Sequence, residues 1–127
     1  MPVKFPCVCC GHLTMDSPPG SHAICEVCFW EDDGVQLRWP GYPGGANMPP
    51  LIESQKNVAR FGAMEEHFVV KVRPPRADEP LEPAWRPIDL VRDRFEPDGV
   101  RLAPSQPDAT VFYWWRYPDG QGWWESV

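Results

Sequence analysis

The first half of this chain has few basic residues. Residues 1–50 contain only Lys4 and Arg38, against five acids, and the whole chain has a net charge of −6. A nucleic-acid-binding surface needs clustered Lys and Arg to neutralise phosphates. The arginines after residue 70 are interleaved with acids, which is typical of a solvated surface. We therefore expect no nucleic-acid partner, and a basic protein is the better electrostatic match.

Long apolar runs are also missing. The N-terminal stretch MPVKFPCVCC has no apolar core of signal-peptide length, and no segment is long enough to span a membrane. Five cysteines is an odd number, which argues against the paired disulfides of a small secreted protein. The expected location is therefore the cytoplasm, without membrane association.

Proline and glycine are abundant, and they limit regular structure. The chain has 17 prolines and 10 glycines in 127 residues, which leaves little room for long helices or strands. Aromatic residues are also plentiful, with seven Trp, six Phe and three Tyr. A disordered chain would lack them, so this composition indicates a folded domain with a small core.

The cysteines form two C-x-x-C pairs. Cys7 and Cys10 make the first, followed by Gly11, and Cys25 and Cys28 make the second after 14 intervening residues. In such a pair the chain turns so that both sulfurs reach one ion, and two turns complete a tetrahedron. The spacing predicts a structural Zn²⁺ site whose ligands are Cys7, Cys10, Cys25 and Cys28. A closed tetrathiolate leaves no coordination position for water, so the site is not expected to be catalytic.

Other interpretations of these residues stay open at this point. The four cysteines could form disulfides, or a pair could do redox chemistry, although a thioredoxin-like motif needs a βαβ framework that is not evident here. Cys9 is either a bystander thiol or a reactive cysteine beside the metal. His12 and His22 flank the knuckles, and we expect them to support the site or face solvent rather than bind the ion.

Three consecutive acids follow the second knuckle in FWEDDG. Adjacent side chains point in different directions, so Glu31, Asp32 and Asp33 are poorly placed to share an ion. A helix cap or turn is the simpler explanation, and recognition of a basic partner is a further possibility. Exposed aromatics anchor many protein interfaces. The predicted partner-binding residues are Glu31, Asp32, Asp33, Trp39 and Tyr42.

Local patterns give the expected secondary structure. Good helix formers predict a helix from Leu51, capped by Asn47 and stopped or kinked by Gly62, with a second short helix after it. The aromatic runs on either side of Pro-Asp-Gly at 118–120 predict a C-terminal β-hairpin. The predicted class is therefore α+β, with a small zinc-ribbon-like N-terminal part, one or two short helices and this hairpin.

Several motifs together resemble the bacterial cysteine-rich CPCC family over about residues 5–75. Those motifs are C-x-C-C-G (7–11), ICEVCFWEDDGVQ (24–36), GGAN (44–47) and SQKNVARFGA (54–63). Val8 departs from the proline that the family's name implies, but no ligand is lost. The resemblance implies a small cytoplasmic metal-binding module and no particular activity.

These observations predict that the chain has two parts and no catalytic role. Residues 1–75 form the zinc-binding module, and residues 76–127 form a proline-rich extension that packs on it. The predicted function is that of a non-enzymatic, zinc-stabilised protein-binding module. One specific version of this prediction is an immunity protein that binds a bacterial toxin. The alternative is an enzyme or thiol-redox protein that uses Cys9.

Overall fold

Proline and glycine divide the chain into short elements joined by turns. The structure, a computed structural model, describes residues 4–127. Helix α1 spans Gly34–Arg38 and helix α2 spans Leu51–Phe61. Four 3-10 helices follow, at Glu66–Lys71, Ala109–Phe112, Trp114–Arg116 and Trp123–Ser126. Within residues 4–127, no helix is both long enough and apolar enough to cross a bilayer.

Extended pairing in the described part of the chain is limited to three isolated antiparallel bridges. They join Phe5 to Met15, His12 to Leu81 and Ile24 to Glu31. Residues 4–127 contain no β-strand. The predicted α+β class and its C-terminal β-hairpin are therefore wrong: the fold consists of short helices and irregular loops.

The hairpin prediction failed because the aromatic residues do not alternate between two faces. Phe112, Tyr113 and Trp114 are consecutive and all buried, whereas a half-buried strand would expose every second side chain. The segment begins where the Asp108 carboxylate accepts hydrogen bonds from the Thr110 amide and hydroxyl, which starts a helical turn. The aromatic run thus folds as 3-10 turns around the core.

Helix α2 begins and ends where the sequence predicted, but its N-terminal cap differs from the prediction. It begins at Leu51 and ends where Gly62 adopts a left-handed conformation with φ 86°. Pro50 occupies the N-cap position, and no side chain caps the helix there. The prediction of an Asn47 cap is wrong because that amide bonds to other parts of the chain. The second short helix predicted after Gly62 is the 3-10 helix Glu66–Lys71.

One core joins the cysteines to the aromatic residues of the C-terminal segment. All five cysteines are buried, together with Trp30, Leu37 and Leu51 from the first part and Phe112 and Trp123 from the last. Consequently the same apolar interior includes both the cysteine knuckles and the C-terminal aromatics. The boundary at residue 75 stays a prediction, although the two sides of it pack together.

A buried ion pair connects helix α1 to the extension. Arg38 donates to both carboxylate oxygens of Glu96, at 2.7 and 2.9 Å, and both side chains are almost fully buried. The guanidinium also lies over the rings of Trp39 and Trp123, at 4.8 and 4.9 Å from their centroids. Burial opposes the ionisation of Glu96, but the hydrogen bonds from Arg38 and the Leu102 amide outweigh it and lower the pKa of Glu96.

The extension also covers the first knuckle directly. The Glu82 amide donates to the Gly11 carbonyl at 2.8 Å, and the Trp85 indole N–H donates to the Val8 carbonyl at 3.0 Å. Gly11 has φ 81°, and a Cβ at this position would overlap the Trp85 ring. The position therefore needs glycine both for its backbone angle and for the close approach of the indole.

Gly11→Ala should destabilise the protein more than Gly44→Ala. Both glycines have left-handed angles, φ 81° and 75°, but a Cβ at Gly44 would meet no atom within 4 Å. Gly44→Ala should cost about 1–2 kcal/mol of backbone strain, and Gly11→Ala a further 1–3 kcal/mol or so for overlap with Trp85. Urea unfolding followed by tryptophan fluorescence measures both values, and equal losses would contradict the described packing of Trp85.

Glu96→Ala should cost about 3–5 kcal/mol of unfolding free energy, because it leaves the Arg38 charge buried without its partner. Glu125→Ala is the matched control, since it breaks the more exposed pair with Arg94 and should cost at most about 1 kcal/mol. Chemical denaturation measures the unfolding free energy of both variants. A Glu96→Ala loss no larger than the control's would show that the buried pair does not hold the extension in place.

Candidate metal centre

The two C-x-x-C segments adopt the same backbone turn. The Gly11 amide donates to the Cys7 carbonyl at 2.7 Å, and the Phe29 amide donates to the Cys25 carbonyl, also at 2.7 Å. Each bond runs from the residue after the second cysteine to the first cysteine. Both turns therefore aim their two sulfurs toward the same side of the chain.

The residue after each pair has a left-handed backbone conformation. In the first turn it is Gly11, at φ 81°, and in the second it is Phe29, at φ 71°. A non-glycine residue pays about 1–2 kcal/mol for this conformation. Phe29 packs its ring on Phe68, with centroids 4.4 Å apart, and this contact helps offset the strain.

The four sulfurs of the two turns converge on one point. The Sγ atoms of Cys7, Cys10, Cys25 and Cys28 all lie within 4.8 Å of one another. The Cys7–Cys28 pair is 3.6 Å apart and the Cys10–Cys25 pair is 3.8 Å apart. A tetrahedron with metal–sulfur bonds of about 2.3 Å has edges of about 3.8 Å, so the donor set fits a tetrathiolate metal site. The spacings are too long for disulfides, and all five cysteines are free.

Burial and hydrogen bonding act in opposite directions on the ionisation of these sulfurs. Burial raises the pKa of Cys7 and Cys28. Hydrogen bonds from Cys10, Cys28 and Cys7 lower the pKa of Cys25, and the Thr14 hydroxyl, 3.2 Å from its sulfur, adds to the effect. Burial therefore opposes the thiolate form at Cys7 and Cys28, whereas hydrogen bonding favours it at Cys25. A divalent cation would stabilise all four thiolates and displace their protons.

The nearby residues considered as alternative ligands lie outside this group. Cys9 is 1% exposed, and burial raises the pKa of its thiol. His12 directs Nδ1 to the Glu79 carbonyl at 2.9 Å, and His22 is an exposed side chain 3.4 Å from the Glu31 carboxylate. The four cysteines are the set that the described chain brings together for a metal.

The acids after the second knuckle organise the backbone. Asp33 caps helix α1, with one carboxylate oxygen 2.8 Å from the Val35 amide, and its other oxygen accepts from the Ala46 amide at 2.8 Å. Asp32 accepts from the amide and hydroxyl of Ser21, at 3.0 and 2.7 Å. The helix-cap interpretation of this run is confirmed for Asp33.

Three of the five residues predicted to bind a partner lie inside the chain. Asp32, Asp33 and Trp39 are 4–6% exposed, and the Trp39 indole donates to the Val100 carbonyl at 3.0 Å. Their contacts are with the protein itself, so they hold the fold and do not form an accessible surface. Glu31 is half-buried and Tyr42 is 39% exposed, so these two remain accessible.

A buried amide pair that the sequence analysis missed fixes the loop between the helices. The Gln36 amide nitrogen donates to the carbonyls of Tyr42, Asn47 and Pro49, at 3.0–3.3 Å. The Gln36 side-chain oxygen accepts from both the backbone and side-chain nitrogens of Asn47. Asn47 in turn exchanges two hydrogen bonds with the Glu31 backbone. The indication of this pair in the sequence was the presence of Gln36 and Asn47 in the short motifs VQ (35–36) and GGAN (44–47).

Comparison with known proteins agrees with this geometry. The family model described as Cysteine-rich CPCC matches residues 5–79, which is more than half of the chain and includes all five cysteines. No curated protein matches the sequence. The chain therefore belongs to the cysteine-rich CPCC family.

Proposed function

We propose that the protein is a zinc-stabilised, non-enzymatic protein-binding module. The observation that carries the metal assignment is the convergence of four buried sulfurs at tetrahedral spacing. A set of four thiolates favours Zn²⁺ among the metals commonly available to proteins. Bound there, the ion would supply folding free energy by joining the two knuckles.

A structural role fits this donor set better than catalysis does. Four thiolates complete a tetrahedron and leave no position for a water or a substrate. The alternative that uses Cys9 as a reactive thiol requires an accessible sulfur, and Cys9 is 1% exposed. We therefore assign the protein's function to its surface. A reducing cytoplasm suits the free thiols of this centre.

Serine at any one of the four ligand positions should abolish stoichiometric zinc binding and unfold the part of the chain around the knuckles, because each substitution removes a ligand. The four variants are Cys7→Ser, Cys10→Ser, Cys25→Ser and Cys28→Ser. Cys9→Ser should retain one zinc per chain and lose much less stability. Elemental analysis of the purified variants, with thermal unfolding, measures both effects. Equal loss of zinc in all five variants, or an intact protein without bound metal, would contradict the assignment.

The loop between α1 and α2 supports the partner-binding part of the proposal. Tyr42 is 39% exposed and Met48 is 73% exposed, and the Gly44 amide bonds to the Met48 carbonyl at 3.0 Å. Tyr and Met are enriched at protein interfaces. The buried Gln36 and Asn47 amides hold this loop in one conformation, so less entropy would be lost when it binds.

We assign the partner to a basic protein, on electrostatic grounds. The net charge is −6, and the half-buried Glu31 lies next to this loop, joined to it through Asn47. A toxin neutralised by this chain as its immunity partner is one specific form of the proposal. Such a complex would cover the loop and inhibit the toxin at a one-to-one ratio.

Tyr42→Ala and Met48→Ala should each weaken the complex at least about tenfold, with little change in stability, because interface anchors of this kind contribute roughly 1–2 kcal/mol or more. Val91→Ala is the matched control, since Val91 is 99% exposed on the extension. The tagged protein is first used to recover its partner from the native lysate, and binding of the variants is then measured by calorimetry. Unchanged affinity in both loop variants would exclude this loop as the interface.

A further inference from the structure

A pocket of about 300 Å³ lies where helix α1 meets the extension. Val35, Arg38 and Trp39 line it from the helix side, and Arg101 and Ser105 line it from the extension. A volume of this order suits a small organic molecule. The four cysteines that could hold a metal do not line it, so this pocket is separate from the sulfur cluster.

The guanidinium of Arg38 has one end at this pocket. Its Nε and Nη2 atoms donate to Glu96, which does not line the pocket, whereas Nη1 donates to the hydroxyl of Ser105, which does. The rings of Trp39 and Phe112, with centroids 4.8 and 5.7 Å from the guanidinium carbon, also line the pocket. The Nη1 end of the guanidinium is therefore directed toward the pocket.

This end has hydrogen-bonding capacity to spare. Nη1 carries two N–H groups, and within residues 4–127 its hydrogen bond is a single long one, 3.4 Å to the Ser105 hydroxyl. By contrast, Nε and Nη2 make three bonds of 2.6–2.9 Å, to Glu96 and to the Ala103 carbonyl. Because Arg38 is 4% exposed, an N–H group without an acceptor is costly here, and an oxyanion in the pocket would satisfy it.

Arg101 brings a second cation to the same pocket. Its side chain is exposed and makes no hydrogen bond or ion pair within the described part of the chain. The residues on either side of it are held in place, since the Trp39 indole donates to the Val100 carbonyl and the Leu102 amide donates to Glu96. The Arg101 backbone is thus fixed at the pocket while its side chain is free to close on a ligand.

Among the described residues, Asp33 is the acid that lines this pocket, and its carboxylate is already engaged. Its two oxygens accept hydrogen bonds from the backbone amides of Val35, Gln36 and Ala46. The charge available to a ligand is therefore positive. Val35 is 47% exposed, and it provides apolar surface together with the Trp39 ring.

We propose that this pocket binds a small organic anion, with a carboxylate or phosphate group on Arg38 Nη1 and Arg101 and an apolar body on Val35 and Trp39. Carboxylate and phosphate share the chemistry that these arginines recognise, an oxyanion that accepts guanidinium N–H bonds. The site uses neither the cysteine sulfurs nor the loop residues proposed to bind a partner protein, so it is an additional function that can be tested separately.

The test titrates the purified full chain with phenyl phosphate, benzoate and benzyl alcohol, which carry the same ring and differ in the attached group. At least one anion should bind one-to-one with a Kd below about 1 mM, which is within reach of a ligand of this size. It should bind at least about tenfold more tightly than the alcohol, because hydrogen bonds to charged groups are the strong ones. Calorimetry measures all three, and comparison of the two anions identifies the preferred group. Equal binding of the alcohol, or no binding of either anion, would overturn the proposal.

Two arginines locate the site. Arg101 lines the pocket, whereas Arg60 is an exposed residue of α2 that does not line it. Arg101→Gln should weaken binding of the preferred anion about tenfold or more, without loss of stability. Arg60→Gln removes the same charge at a distance and should change the affinity by less than about twofold, since salt screens distant charges. Equal affinities in the two variants would exclude this pocket as the binding site.

NMR spectra of the same titration report where the anion sits. The indole N–H signal of Trp39 and the amide signal of Val35 should shift as the anion is added. The indole N–H signal of Trp85, which lies against the first knuckle, is the internal control and should stay in place. Shifts confined to residues outside the pocket would identify an adventitious site and overturn the assignment.

Discussion

The convergence of four cysteine sulfurs is the constraint on which the rest of the fold depends. The described chain has two short α-helices, four 3-10 helices and three isolated bridges, so backbone pairing alone does little to fix its shape. A small domain of this kind needs another source of order. Two turns that direct four buried sulfurs to one point provide it, and the aromatic residues pack around that point.

Local chemistry made the cysteine cluster predictable. A C-x-x-C turn is a property of four consecutive residues, so Cys7, Cys10, Cys25 and Cys28 could be identified from spacing alone. The end of α2 was predictable for the same reason, because Gly62 acts on its own turn. In both cases the outcome depends on neighbouring residues and hardly on the remainder of the chain.

Features that depend on distant partners could not be predicted. Asp32 is charged and Trp39 is amphipathic, so both residue types are common on protein surfaces. In the structure both are buried, Asp32 with hydrogen bonds from Ser21 and Trp39 with one to Val100. The aromatic run from Phe112 has high strand propensity, but propensity is a weak guide where packing against the core decides the backbone. Tertiary contacts overrode the local pattern at each of these positions.

The buried pair of Arg38 and Glu96 makes the two parts of the chain mutually dependent. Arg38 lies in the stretch matched by the family model, whereas its carboxylate partner lies 17 residues beyond the end of that stretch. A family member that ended near residue 79 could not keep an arginine enclosed at this position without a substitute anion. We therefore expect shorter members to carry an uncharged residue there, so the identity of this one side chain would reveal whether a relative possesses the extra segment.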